Sequence, residues 1–195
     1  EAACFCFCFA FAELDKMRTK GKSSVEFNNV FLRSSAAISG PKEKKGPLGK
    51  FFDYSYDDPY CRTENWEQAE IKLQKDAMKL ALKKIGLEFS DIRVVIGGDL
   101  NNQLAITNYA MRDFDVPYLG VYSACSTCTQ SIAIASMLID SGYGENILII
   151  TSSHNSTSER QFRYPTEYGG QKPTSMTSTA TGAGAAVISN IPSAI

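Results

Sequence analysis

The chain has 195 residues, 44% hydrophobic and 21% charged, with 20 basic and 21 acidic side chains and a formal net charge of −1. That balance suits a globular domain with a real core and excludes the basic footprint of a non-specific nucleic-acid binder. No stretch reaches the roughly 18 apolar residues that a membrane helix needs.

Residues 1–16, EAACFCFCFAFAELDK, read as an extension outside the domain, which then begins at Met17. Their apolar run has no basic segment before it, so it makes a poor signal peptide and is too short to span a bilayer. The plain alternative is an extra edge strand. Val25 to Leu32 is predicted as the first strand, with Val25, Phe27 and Phe31 on one face. Ser34 to Gly49 reads as a Gly- and Pro-punctuated loop. Between Pro41 and Lys50, lysines 42, 44, 45 and 50 stand against the single Glu43, as a solvated face or as a contact for an anionic partner or lipid headgroup. Phe51 to Tyr60 is aromatic and acidic, a surface segment expected to order on contact with a partner or a second subunit.

A long amphipathic helix is predicted from Asn65 to Ile85, with Asn65 as N-cap, Gln68 three residues on and Gly86 as the stop. Trp66, Ala69, Leu73, Ala77, Leu80 and Ala81 line its apolar side. Ile92 to Ile96 is a strand ended by Gly97-Gly98-Asp99, and Leu104 to Arg112 a short helix. Then come a strand at Tyr118–Tyr122, a helix from Ser126 to Asp140 stopped by Gly142 and Gly144, and a strand at Ile147–Thr151. The Ser126 helix is apolar on every side, which predicts burial on every side. A long loop from Ser152 to Thr181 precedes the last strand, Ala183–Ser189. Alternating strands and helices imply an α/β fold with a mostly parallel or mixed sheet around that central helix.

Cys125 lies just beyond a strand end, at a helix N-terminus where unpaired amides favour negative charge. That position suits a thiolate nucleophile or an anion site, while a small buried cysteine is the structural alternative. Cys125 and Cys128 have the C-x-x-C spacing of a redox pair, but the apolar helix that follows argues against one. The remaining cysteines fit neither zinc nor disulfide spacing. His154, the only histidine, follows the Ile147 strand and is the one imidazole able to serve Cys125 as a base. Arg160 and Arg163 near it suit bidentate recognition of a carboxylate, or else anchor the loop by salt bridges. Asn155-Ser156-Thr157 matches a glycosylation acceptor with nothing secretory to support it. Gly182 and Gly184 do not follow a strand as a dinucleotide fingerprint requires.

The Ala124-Cys125-Ser126 junction resembles the nucleophile position of the thiolase superfamily. Four longer stretches resemble, more narrowly, the stage V sporulation protein AD family of endospore-forming bacteria: SGPKEKKGPLG at 39–49, GDLNNQ at 98–103, SACST at 123–127 and SSHNSTSERQFRYPTEYGGQKP at 152–173. The resemblance implies a thiolase-like fold of two αβαβα halves, of which residues 17–195 make the N-terminal one. It implies non-enzymatic binding of dipicolinic acid, a small dianion, during its loading into or release from spores. The implied partners are other products of the same sporulation operon, including membrane proteins, with a homodimer expected. The implied place is the periphery of the inner spore membrane, and no cofactor or metal is implied. Cys125, Ser126, His154, Arg160, Arg163 and Tyr168 are the candidate ligand-binding residues, and Cys125 with His154 the candidate catalytic pair if the chain performs acyl transfer or condensation. A purely structural, recruiting role through 41–60 is the third possibility. A lone first half also predicts exposed apolar surface and self-association.

Overall fold

The computed structural model describes residues 19–20, 22–162, 173, 175 and 177–192. Strands β1 (Thr19–Lys20) and β2 (Ser24–Val25) form a small antiparallel ribbon. The main sheet comprises β3 (Phe31–Ser39), β4 (Tyr54–Ser55), β5 (Val94–Gly98), β6 (Tyr118–Gly120), β7 (Asn146–Ser153) and β8 (Gly182–Ser189). Its order is β4-β3-β8-β7-β5-β6, with β8 antiparallel to both neighbours and the other pairings parallel. The helices are α1 (Pro41–Lys44), α2 (Trp66–Lys83), α3 (Ala105–Met111), α4 (Thr127–Asp140) and α5 (Asn155–Phe162).

The two-residue period of the strands divides one sheet between two cores. Leu148 and Ile150 of β7 join Ala183, Ala185 and Val187 of β8 on the α2 side. Ile147 and Ile149 join Ala186 and Ile188 on the α4 side. Helix α2 lies against β3, β7 and β8, with α3 beside it, while α4 covers β5, β7 and β8 from the opposite face. The small side chains are what let α2 approach: Ala69, Ala77 and Ala81 are fully buried in the cluster that holds Ala183 and Ala185. Asn65 caps α2 by accepting from the Gln68 amide at 2.8 Å, and Gln68 returns its side-chain oxygen to Glu64 N–H. Gly97 has to be glycine, because a Cβ there would stand 1.7 Å from the Ile150 carbonyl oxygen.

Several expectations are corrected. The first main strand is Phe31–Ser39, not Val25–Leu32. Its serines and alanines read as a loop, yet Ser34, Ala36 and Ile38 are buried in alternation, Ser34 donating to Ala81 O on α2 at 2.7 Å. The segment after Phe51 is ordered by the chain itself: Tyr56 is buried and donates to the Asp76 carboxylate. The loop after Ser152 is interrupted by α5, whose hydrophilic sequence hides its periodicity. Helix α4 is buried along one stripe only, through Thr127, Ser131, Ala135, Ser136 and Ile139; Ile132 and Met137 face outward, Met137 being 53% exposed. Apolar composition all round thus marks an uncovered face. Residues 1–16 lie outside the described residues.

Candidate functional site

Strands β5 and β7 end side by side, and the N-terminus of α4 arrives beside them from β6. A cavity of about 510 Å³ opens there, lined by Asp99, Cys125, Thr127, Ser152, Ser178 and Thr179 among others. Serines, threonines and glycines make up most of its lining, which contains no Lys, Arg or His among the described residues. Gly184 on β8 faces open space where a Cβ would stand. Cys125 is an exposed free thiol in a 3-10 turn, Ala124–Ser126, that leads into α4. Ala124 sits at φ 47, a left-handed conformation unfavourable for a residue with a Cβ. The turn is tied by Ser126 N–H to Ser123 O at 3.0 Å and by Ser123 N–H to Thr127 Oγ1 at 3.3 Å. No side chain caps the start of α4; its first amide, Thr127 N–H, is instead taken by Ala124 O of the 3-10 turn.

Beneath the cavity lies a buried polar network. Glu70 and Gln74, one turn apart on α2, are fully buried. The Gln74 amide donates to Thr107 Oγ1 at 2.8 Å and to Ser152 Oγ at 2.7 Å. Each hydroxyl passes its own hydrogen to a carboxylate: Thr107 to Asp99 Oδ2 at 2.6 Å, Ser152 to Glu70 Oε1 at 2.7 Å. Asp99 accepts further from the Thr107 and Asn101 amides. Glu70 Oε2 meets Asn101 Nδ2 and Thr157 Oγ1, both at 3.2 Å. Thr157 has one hydroxyl hydrogen and two acceptors, since His154 O lies 3.1 Å away. Both contacts become hydrogen bonds when Glu70 is protonated and donates to Thr157. Burial pushes the Glu70 carboxyl up to about 7; the Ser152 bond pulls it back, and the Asp99 charge raises it further. Asp99 is likewise raised, chiefly by burial, against the opposing Thr107 and Asn101 bonds.

Of the candidate ligand-binding residues that are described, Cys125 alone lines the cavity, with Cys128 of the C-x-x-C pair beside it. Cys125 follows β6 and His154 follows β7, but β5 runs between those strands, so the assumed adjacency fails. His154 is 1% exposed, with Nε2–H donating to Pro59 O at 2.8 Å and Nδ1 accepting from Ser156 N–H at 3.2 Å. Both ring nitrogens are used, and burial lowers its basicity against the Pro59 bond, which raises it. The ring stacks on Trp66, which stacks on Tyr60. Arg160 lies over Trp66 and pairs with Glu67, so it ties α5 to α2 instead of entering the cavity. The Ser126 hydroxyl is engaged with Ser123. Arg163 and Tyr168 lie outside the described residues. The sequence reading missed Glu70, Gln74 and Asp99. Their available signal was two polar residues, four apart, set within the apolar stripe of α2.

Three comparisons bear on this arrangement. The family model described as Stage V sporulation protein AD matches residues 21–195. The chain is 49% identical over 177 residues to Stage V sporulation protein AD of Bacillus subtilis (strain 168), covering 90% of this chain and 52% of that protein. It therefore spans about half the length of that relative. Among solved structures, it is similar to 3-oxoacyl-[acyl-carrier-protein] synthase III from Aquifex aeolicus VF5, with TM-score 0.57 and 18% identity over 82% of this chain and 53% of the other. It is also similar to OleA of Xanthomonas campestris (H285N), with TM-score 0.57 and 16% identity over 84% and 56%. At those identities the likeness shows the fold, which is thiolase-like.

Proposed function

The chain belongs to the stage V sporulation protein AD family, and on that premise we propose that it binds dipicolinic acid without turning it over. The ligand sits in the cavity beside Cys125 and moves into or out of spores with the help of a membrane-associated complex of sporulation proteins. The observation that carries this reading is the cavity itself. About 510 Å³ is ample for one planar ring with two carboxylates. Its hydroxyls supply donors for anionic oxygen, and among the described residues that line it there is no imidazole beside the thiol. Arg163 is proposed, from the sequence alone, as the cation that completes the site.

Among the described residues, no helix is long and apolar enough to cross a membrane. Membrane partners are therefore proposed to hold the protein peripherally. A second reading, acyl transfer through a Cys125 thioester, is favoured by the strained backbone at Ala124 and the exposed thiol at a helix start. Calorimetry with dipicolinate separates the two. Binding is expected to survive Cys125→Ala, to vanish in the cavity-filling Cys125→Trp, and to weaken by about 2 kcal/mol in Arg163→Ala. Stoichiometric acylation of Cys125 by a thioester, with turnover and no dipicolinate heat, overturns the binding reading in favour of the enzyme.

A further inference from the structure

The segment from Gly40 to Phe52 plays no part in the cavity reading, yet it is built with care. Helix α1 and the following 3-10 turn, Gly49–Phe51, close on themselves. Gly46 N–H donates to Glu43 O, Gly49 N–H to Gly46 O and Phe51 N–H to Leu48 O, each at 3.0 Å. Gly49 packs so tightly that a Cβ would stand 2.0 Å from Lys44 O. This fixed knuckle turns Leu48 and Phe51 outward at 62% and 69% exposure, the two most exposed large apolar side chains among the described residues. A flexible loop could fold such groups away; here the backbone bonds hold them out.

The charges around the knuckle are sorted. Lys45 and Lys50 are exposed, and Lys50 lies 5.0 Å from the Phe51 ring centroid. Lys44 pairs with Asp57, and Lys42 donates to Ser178. Between residues 40 and 52 the only acid is Glu43. It points inward, accepting from Thr181 N–H at 3.0 Å. Asp53, next along the chain, is turned to Lys84 and the Ala37 amide.

We propose that this knuckle is an interfacial anchor for an anionic lipid bilayer, with Leu48 and Phe51 entering the acyl boundary and Lys45 and Lys50 remaining at the headgroups. A bilayer interface is the surface that satisfies both halves at once, offering hydrocarbon a few ångströms beneath a layer of negative charge. Lysine stems reach along the apolar groups while their ammonium heads stay with phosphate. Because the knuckle is already shaped, docking orders little chain. None of the four anchoring residues lines the cavity.

The test is co-sedimentation of the 195-residue chain with vesicles of phosphatidylcholine alone, or of equal parts phosphatidylcholine and phosphatidylglycerol. Partitioning is expected to be at least tenfold stronger on the anionic vesicles. Lys45→Glu with Lys50→Glu is expected to reduce it roughly 25-fold or more, and Leu48→Ser with Phe51→Ser about tenfold or more. Phe51→Trp is expected to add an emission that brominated acyl chains quench, which Trp66 in the unsubstituted protein does not give. Equal binding to both vesicles overturns the proposal, as does partitioning unchanged in the loop variants. So does loss of binding only on Ile132→Ser with Met137→Ser, which assigns the contact to the open face of α4. A dimer in size-exclusion chromatography that Leu48→Ser with Phe51→Ser dissolves assigns the knuckle to a second copy, and also overturns it.

Discussion

Glu70 gives the protein a pH-dependent stability that one substitution should erase. The carboxyl titrates near its ordinary 4.5 in the unfolded chain and at about 7 in the fold. A tenfold change in proton affinity is worth about 1.4 kcal/mol, so the displacement amounts to about 3 kcal/mol. The sign follows from linkage: the folded pKa is raised, so the contribution is fully present below 4.5 and is lost as pH rises through about 7. Glu70→Gln keeps an oxygen to accept from Ser152 and removes the ionisation. Urea denaturation followed by Trp66 fluorescence, run on both proteins between about pH 4.5 and pH 8, measures the effect. The difference in unfolding free energy is expected to shift by about 3 kcal/mol in favour of the glutamine variant across that window. Asp99 and His154 also titrate, but they are common to both proteins and largely cancel in the difference. Two curves that stay parallel would show that Glu70 ionises in the fold as easily as in water, and the proton placed on it by the Thr157 geometry would be wrong.

Other outcomes follow from packing. Gly97→Ala is expected to prevent folding, at a cost above about 4 kcal/mol, because the new methyl meets the Ile150 carbonyl; soluble expression with a native circular-dichroism spectrum contradicts this. Leu73→Ala, at a fully buried position, is expected to lower stability by about 2–5 kcal/mol, read from the urea midpoint. In native protein, iodoacetamide should modify Cys125 and Cys128 and spare Cys61, whose thiol burial pushes up to about 12 with help from Asp58 and Asp76. Peptide mass spectrometry checks this, and rapid native labelling of Cys61 refutes it.

Local periodicity and caps were enough to place α2, with its Asn65 cap, the strands β5, β7 and β8, and the cysteine at the start of α4. These depend on neighbours in the chain, through spacing, glycine stops and capping chemistry, and those are written in order along it. The SACST and GDLNNQ stretches also marked the place where the cavity opens, since Ala124, Cys125 and Thr127 of the first and Gly98, Asp99 and Leu100 of the second line it.

Contacts across the sheet were decided elsewhere. No local signal states that β5 inserts between β6 and β7, and that single fact parts His154 from Cys125. The same holds for Arg160, whose charge is spent on Glu67 and Trp66, and for Ser34 to Ser39, whose small side chains make a strand only because α2 presses on them. Sequence alone set which segments are helix, strand and stop, and that a thiol stands at a helix mouth. Only the tertiary structure placed two buried carboxylates and one shared amide beneath that thiol, because burial and long-range hydrogen bonds depend on which distant segments the folded chain brings together.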